Sequence, residues 1–161
     1  MDTQLPVTVE RDWSGQAGAR SWRIPWKWDE EMRIKADIHP PDLAAWNQQT
    51  YRIRVFDELI DDTDPNLTNF QITADWKVRR IDFSRAFRAS TSLLNPKLVV
   101  QCDTELLAKL KQLDEATLKK ELGPYVESPG IKGLLARRDK IVKFFDEKGP
   151  TALFNMPRRP E

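Results

Sequence analysis

Pro40-Pro41-Asp42 opens a stretch whose apolar residues Leu43, Trp46, Ile53, Phe56, Leu59 and Ile60 recur at helical spacing, and the run DDTDPNLTN then turns abruptly polar. This succession constrains the chain more than any other feature. Paired prolines break whatever precedes them, and an aspartate behind them accepts hydrogen bonds from the unpaired N–H groups of a helix start. A helix is therefore expected from Asp42 to about Ile60. Asp61 to Asn69 is too polar and too rich in Asp, Asn and Pro to be core, so it reads as a loop. Phe70 to Thr73 and Lys77 to Ile81 are short β-prone runs around Ala74-Asp75-Trp76, which predicts a hairpin. The expected order is helix, loop, hairpin.

The flanking sequence completes an α+β, predominantly α reading. Leu5 to Val9 and Ser21 to Ile24 suggest strands of an N-terminal hairpin turning near Trp13 to Gln16. Four of the six Trp fall between Trp13 and Trp28, a density that suits packing against a neighbouring surface. After Asp103 the pattern is helical through Leu106, Leu107, Leu110 and Leu113, with a continuation over Thr117 to Leu122 that Gly123-Pro124 ends. Ser128-Pro129 reads as the cap and first turn of a last helix carrying Ile131, Leu134, Leu135, Ile141, Val142, Phe144 and Phe145. The dozen residues behind it, with Pro150, Pro157 and Pro160, read as a flexible tail.

Composition narrows the function classes. The 161 residues amount to one domain, and 40% hydrophobic with 32% charged residues argues against disorder. No apolar run approaches the ~18 residues that span a bilayer, and the first residues lack a signal core, so a cytoplasmic protein without a membrane role is expected. One Cys and one His exclude a zinc site of the usual kind. A net charge of +1 argues against nucleic acid as the partner.

Three residues carry chemistry. Phosphoryl transfer needs a carboxylate to accept the attacking hydroxyl's proton, and a second carboxylate with a neutral amide to hold magnesium against nucleotide phosphates. Asp64 is the candidate base. Asn69 and Asp82 are the candidate metal and cofactor ligands, the hairpin returning Asp82 toward the loop. With fifteen Asp and five Asn in the chain, an Asp-x4-Asn pair arises by chance in roughly half of such sequences, so the pair alone is weak. Its setting is rarer: an apolar helix before, a hairpin after, and Asp82 flanked by Ile81 and Phe83. The competing reading is structural, with Asp61, Asp62 and Asp64 solvating a turn and Asp82 pairing with Arg80 or Arg85. Five acidic residues between Asp57 and Asp64 face five basic ones between Lys77 and Arg88 in sequence, a pattern suited to metal and phosphate respectively. Arg79, Arg80, Arg85 and Arg88 are the basic residues available to phosphate or to an acidic substrate.

At these residues the chain resembles a family. The runs Pro40-Pro41-Asp42, Ala45-Trp46-Asn47, Arg54-Val55-Phe56-Asp57, Asp62-Thr63-Asp64-Pro65-Asn66-Leu67-Thr68-Asn69 and Ile81-Asp82-Phe83-Ser84-Arg85-Ala86-Phe87-Arg88 are similar to the C-terminal lobe of uncharacterised bacterial kinase-like proteins. These are distantly similar to HipA-type toxin kinases and phosphoinositide kinases. The likeness continues through Cys102-Asp103, Leu106-Leu107 and Leu135 to Ile141. It implies a protein-kinase-like fold, ATP with Mg, and the roles given to Asp64, Asn69 and Asp82. On it, residues 1–40 are expected to be a remnant of the N-lobe and hinge, 41–148 the kinase-like lobe, and 149–161 the tail. Pro65 and Thr68 depart from the family, where many relatives carry a basic residue and Gly.

A kinase also needs a Gly-rich phosphate lid and a strand lysine, which belong to an N-terminal lobe of roughly eighty residues or more. No G-x-G-x-x-G occurs here, and neither Lys27 nor Lys35 is assigned as the ATP lysine. Two readings follow. The first is the catalytic lobe of an ATP- and Mg-dependent phosphotransferase with an unknown phosphate acceptor, completed by an N-lobe or a partner chain. The alternative is a non-catalytic kinase-like binding module that uses its Trp-rich N-terminal face. Cys102 reads as a small packing residue.

Overall fold

The computed structural model describes residues 8–11, 17–20, 25–64 and 66–156. They form a mixed, predominantly helical fold with small sheets, divided into two compact units: one comprises residues up to Ile38 together with Leu67–Ile81, the other His39–Asn66 together with the chain from Asp82 onward.

The first unit opens with the antiparallel pair β1 (Thr8–Arg11) and β2 (Ala17–Arg20), in register Thr8↔Arg20 to Arg11↔Ala17. The N-terminal hairpin is thus present at these residues; residues 5–7, 12–16 and 21–24, on which most of the expected strands and the turn fall, lie outside the described residues. A three-stranded antiparallel sheet follows, with β3 (Trp28–Asp29), β4 (Phe70–Ile72) and β5 (Val78–Arg80) in that order. The β-prone runs do form a hairpin, with Phe70 opposite Arg80 and Ile72 opposite Val78. Thr73 closes the β4–β5 turn: its hydroxyl accepts from the Lys77 N–H at 3.0 Å and donates to Asp75 at 2.5 Å. Asp29 caps the short helix α1 (Glu30–Lys35) by accepting from the Met32 N–H at 2.7 Å. Trp28 packs on Trp76 with ring centroids 5.1 Å apart, so one member of the Trp cluster has its surface in the hairpin turn. Trp13 and Trp22 lie outside the described residues.

The second unit is helical. Asp42 caps α2 (Leu43–Ile60) by accepting from the Ala45 N–H at 2.9 Å, the role its position behind two prolines predicts. The expected apolar stripe is buried only in its C-terminal half. Ile53, Val55, Leu59 and Ile60 are buried, whereas Leu43 is 63% exposed. Asp103 ends β6 (Cys102–Asp103) and caps α3 (Thr104–Gln112); Asp114 caps α4 (Glu115–Leu122); α5 spans Ser128–Lys148. Glu127, not Ser128, is the N-cap of α5, because the helix already includes Ser128 and places Pro129 where the absent N–H is not missed. The core joins Val55, Leu59 and Ile60 of α2, Leu107 and Leu110 of α3, Leu118 of α4, and Ile131, Leu134, Ile141 and Phe145 of α5. Burying side chains of this size stabilises a fold by about 1.5–3 kcal/mol each.

Part of the stretch read as a tail belongs to this unit. Pro150–Ala152 make a 3₁₀ turn with Ala152 buried, and β7 (Leu153–Phe154) pairs in parallel with β6, Cys102 opposite Leu153. The prolines signal an end to α5 but not an end to packing. Residues 157–161 lie outside the described residues.

Candidate functional site

The loop of Asp64 begins at a helix end held in an unusual backbone. Asp61, the C-cap of α2, is left-handed at φ 55°, and the N–H groups of Asp61 and Asp62 both donate to the Asp57 carbonyl. Aspartate tolerates that conformation better than most residues. Side chains then take over from the helix ladder. The Asp64 N–H donates to Asp62 Oδ1 at 3.1 Å, and Asp64 Oδ1 accepts from the Asn66 N–H at 3.3 Å. These two Asx turns hold a half-buried Asp64.

The segment of Asp82 belongs to the same unit and runs beside that loop. The Phe87 N–H donates to the Ile60 carbonyl at 2.6 Å, and the Thr63 hydroxyl and N–H both donate to the Arg85 carbonyl, at 3.2 and 3.5 Å. Two strands of irregular backbone, one carrying Asp64 and the other Asp82, are thereby joined within a few residues of each carboxylate. Asp82 is exposed and left-handed at φ 58°, and its Oδ1 accepts from the Ser84 N–H at 3.2 Å. Phe83 turns inward to meet Phe56 of α2 edge to face, centroids 5.7 Å apart. Phe87 is also left-handed, at φ 60°. For a residue with a bulky side chain that conformation costs about 1–2 kcal/mol, so the surroundings must hold it. A cleft of about 460 Å³, lined by Phe83, Ser84, Arg88, Tyr125 and Glu127 among others, opens beside this segment.

Asn69 lies in the other unit, in the 3₁₀ turn Leu67–Asn69 that leads into β4. Its carbonyl accepts from the N–H of Ile81, the residue before Asp82, at 3.0 Å. The residue is 8% exposed, and its Nδ2 has no hydrogen-bond partner among the described residues. A buried amide left without a partner costs about 1–3 kcal/mol unless something else meets it.

Burial corrects the reading of the charged runs. Asp61 and Asp62 do not solvate a turn, although Asp62 caps one: they are 2% and 6% exposed, and Glu58 before them is 5% exposed. Arg80 is buried as well, its guanidinium 4.8 Å from the Phe70 ring centre and donating to the Ile81 carbonyl at 2.6 Å. It is therefore not part of an exposed phosphate-binding face.

The acidic cluster is answered by a residue for which the sequence reading had no role. Arg137 of α5 is fully buried. Its Nε donates to the Leu59 carbonyl at 2.9 Å, and its Nη1 donates to the carbonyls of Arg88, at 3.2 Å, and Ser90. Nη1 also lies 3.8 Å from Asp61 Oδ2. Burial pulls the guanidinium pKa down while Asp61 and Glu58 oppose that. A cation against the last carbonyls of α2 also suits the negative end of the helix dipole. The signal in the sequence is a charged residue on an apolar stripe, three after Leu134 and four before Ile141.

Cys102 is fully buried, and its thiol is pushed up to about 12, chiefly by burial and then by neighbouring Asp103. That agrees with a packing role. Among the described residues, no group of three or more His, Cys, Asp or Glu is arranged to hold a metal, and no helix is long and apolar enough to cross a membrane. No family model matches the chain, and neither a curated protein nor a solved structure is significantly similar to it.

Proposed function

We propose that this chain is the catalytic lobe of an ATP- and magnesium-dependent phosphotransferase of kinase-like fold, acting in the cytoplasm on an acceptor hydroxyl. The observation that carries the reading is the joining of the Asp64 loop to the Asp82 segment through Thr63 and Arg85 and through Ile60 and Phe87. Phe87 is held left-handed in this segment, and strained backbone of that kind clusters at functional sites.

In this reading Asp64 accepts the proton of the acceptor hydroxyl as the oxygen attacks. The Asx turns around it fix the carboxylate, which spares reorganisation during the reaction. Asp82 would hold magnesium. A carboxylate suits a hard cation that keeps several waters. Magnesium, when bound, neutralises charge on the transferring phosphoryl group.

Calorimetry with Mg-ATP on the intact chain tests this. Binding that depends on magnesium and is abolished by Asp82→Asn is expected; a chain that binds neither ion nor nucleotide is not an enzyme in this form. The competing proposal, a binding module, draws on one feature of the first unit: Met32 and Ile34 of α1 are 47% and 52% exposed beside the Trp-rich stretch. It predicts concentration-dependent association in sedimentation that Trp26→Ala weakens.

A further inference from the structure

Arg137 is the most completely buried charged side chain among the described residues, and its contacts are unusual in being almost all to backbone. It reaches the last turn of α2 through Leu59, and the stretch behind Asp82 through Arg88 and Ser90. One planar group with donors in a fixed fork thus spans two chain segments that are far apart in sequence. α5 is shaped to admit it. Gly133, one turn before Arg137, lies so close to the carbonyls of Ser90 and Arg88 that an added Cβ would stand 2.8 and 2.9 Å from them. Hydrophobic packing alone would need no cation here. A buried guanidinium is retained at a cost in desolvation, and its Nη2 has no hydrogen-bond partner among the described residues.

We propose that Arg137 is a positioning residue that clamps the Asp64 loop and the Asp82 segment in one register. It touches neither carboxylate. It acts through the carbonyls of Leu59, five residues before Asp64, and of Arg88 and Ser90, six and eight residues after Asp82. Shape is what the clamp needs, so lysine, with the same charge but a single donor centre, cannot replace it. The catalytic consequence rests on the phosphotransferase reading; the clamp itself does not.

The test combines amide hydrogen exchange with nucleotide binding on the full chain. In the wild type, the amides of Thr63 and Phe87 should open together, with a common dependence on denaturant; independent opening overturns the clamp. In Arg137→Lys, both amides should exchange faster than in Ile141→Ala, a core substitution on the same helix that leaves the three carbonyls untouched, each compared at the same distance below its melting temperature. Equal exchange in the two variants overturns the proposal in favour of simple packing. If Arg137→Lys does not fold, the wild-type measurement decides. Mg-ATP affinity should fall about tenfold or more in Arg137→Lys relative to Ile141→Ala, and equal affinities overturn the catalytic consequence. A wild-type chain that binds no Mg-ATP overturns the phosphotransferase reading, while coupled exchange of Thr63 and Phe87 would still uphold the clamp.

Discussion

The Thr63 hydroxyl donates to the Arg85 carbonyl at 3.2 Å, bridging twenty-two positions of sequence with a single side chain. The Thr63 N–H points to the same oxygen at 3.5 Å, a weaker approach, so the hydroxyl carries most of the link. Thr63→Val keeps the branched shape and removes the donor. A loss of about 1 kcal/mol in urea denaturation is expected, with an unchanged dependence on urea concentration. A stability equal to that of the wild type would show that the two segments are held by the Phe87–Ile60 bond and by Arg137 alone.

Asp64→Asn separates chemistry from binding. The carboxamide oxygen can still accept from the Asn66 N–H, so the turn and the melting temperature should survive. A proton acceptor is lost, and the rate of phosphoryl transfer to the acceptor should fall by about 10²–10⁴ while Mg-ATP affinity stays constant. Loss of affinity together with rate would place Asp64 among the ligands instead of at the proton.

Gly130→Ala sets local propensity against packing. A Cβ at Gly130 would stand 2.5 Å from the Phe87 carbonyl oxygen and 2.9 Å from Val126 Cγ1. Alanine gains up to about 1 kcal/mol of helix propensity, but the carbonyl is backbone and must move, which costs about 1–3 kcal/mol. Net destabilisation in thermal or urea melts is expected, with Phe87 the residue whose NMR shifts change most.

Cys102 gives the pH dependence a direction. Its folded pKa is raised, so the folded state keeps a proton that the unfolded chain releases. Stability is therefore full below the unfolded thiol's value near 9 and declines as pH rises toward about 12. The decline attributable to this thiol is at most about 1.4 kcal/mol per pH unit. Cys102→Ala is less stable at neutral pH because it leaves a cavity, and its deficit relative to the wild type should shrink between pH 9 and 11 in urea melts. A constant deficit would mean that the thiol does not titrate with unfolding.

What was legible in the sequence was whatever a local pattern controls. Asp42 behind two prolines announces the start of α2, and the β-prone runs around Asp75 announce β4 and β5, because capping and pleating are decided within a few residues. The burial of Asp61 has no local signal, because the cation beside it, Arg137, is more than seventy positions away. β6 and β7 are likewise silent in the sequence, since a parallel pair of two-residue strands has no signature along the chain. For the site, the residue types and the turn were readable; the bonds joining the Asp64 loop to the Asp82 segment were not, because each ends on a carbonyl distant in sequence.

The contribution of Phe145 and Ala152 to the core of the second unit orders events during synthesis. Val55 and Leu59 leave the ribosome about ninety residues before Phe145, several seconds at ~5–20 residues per second, and cannot complete their burial until then. During that interval α2 carries Glu58 and Asp61 without their cation and its apolar face without a cover. The nascent chain then exposes apolar surface of the kind that aggregates, and codon changes that slow translation between Asp82 and Arg137 should lower the soluble yield without altering the finished protein.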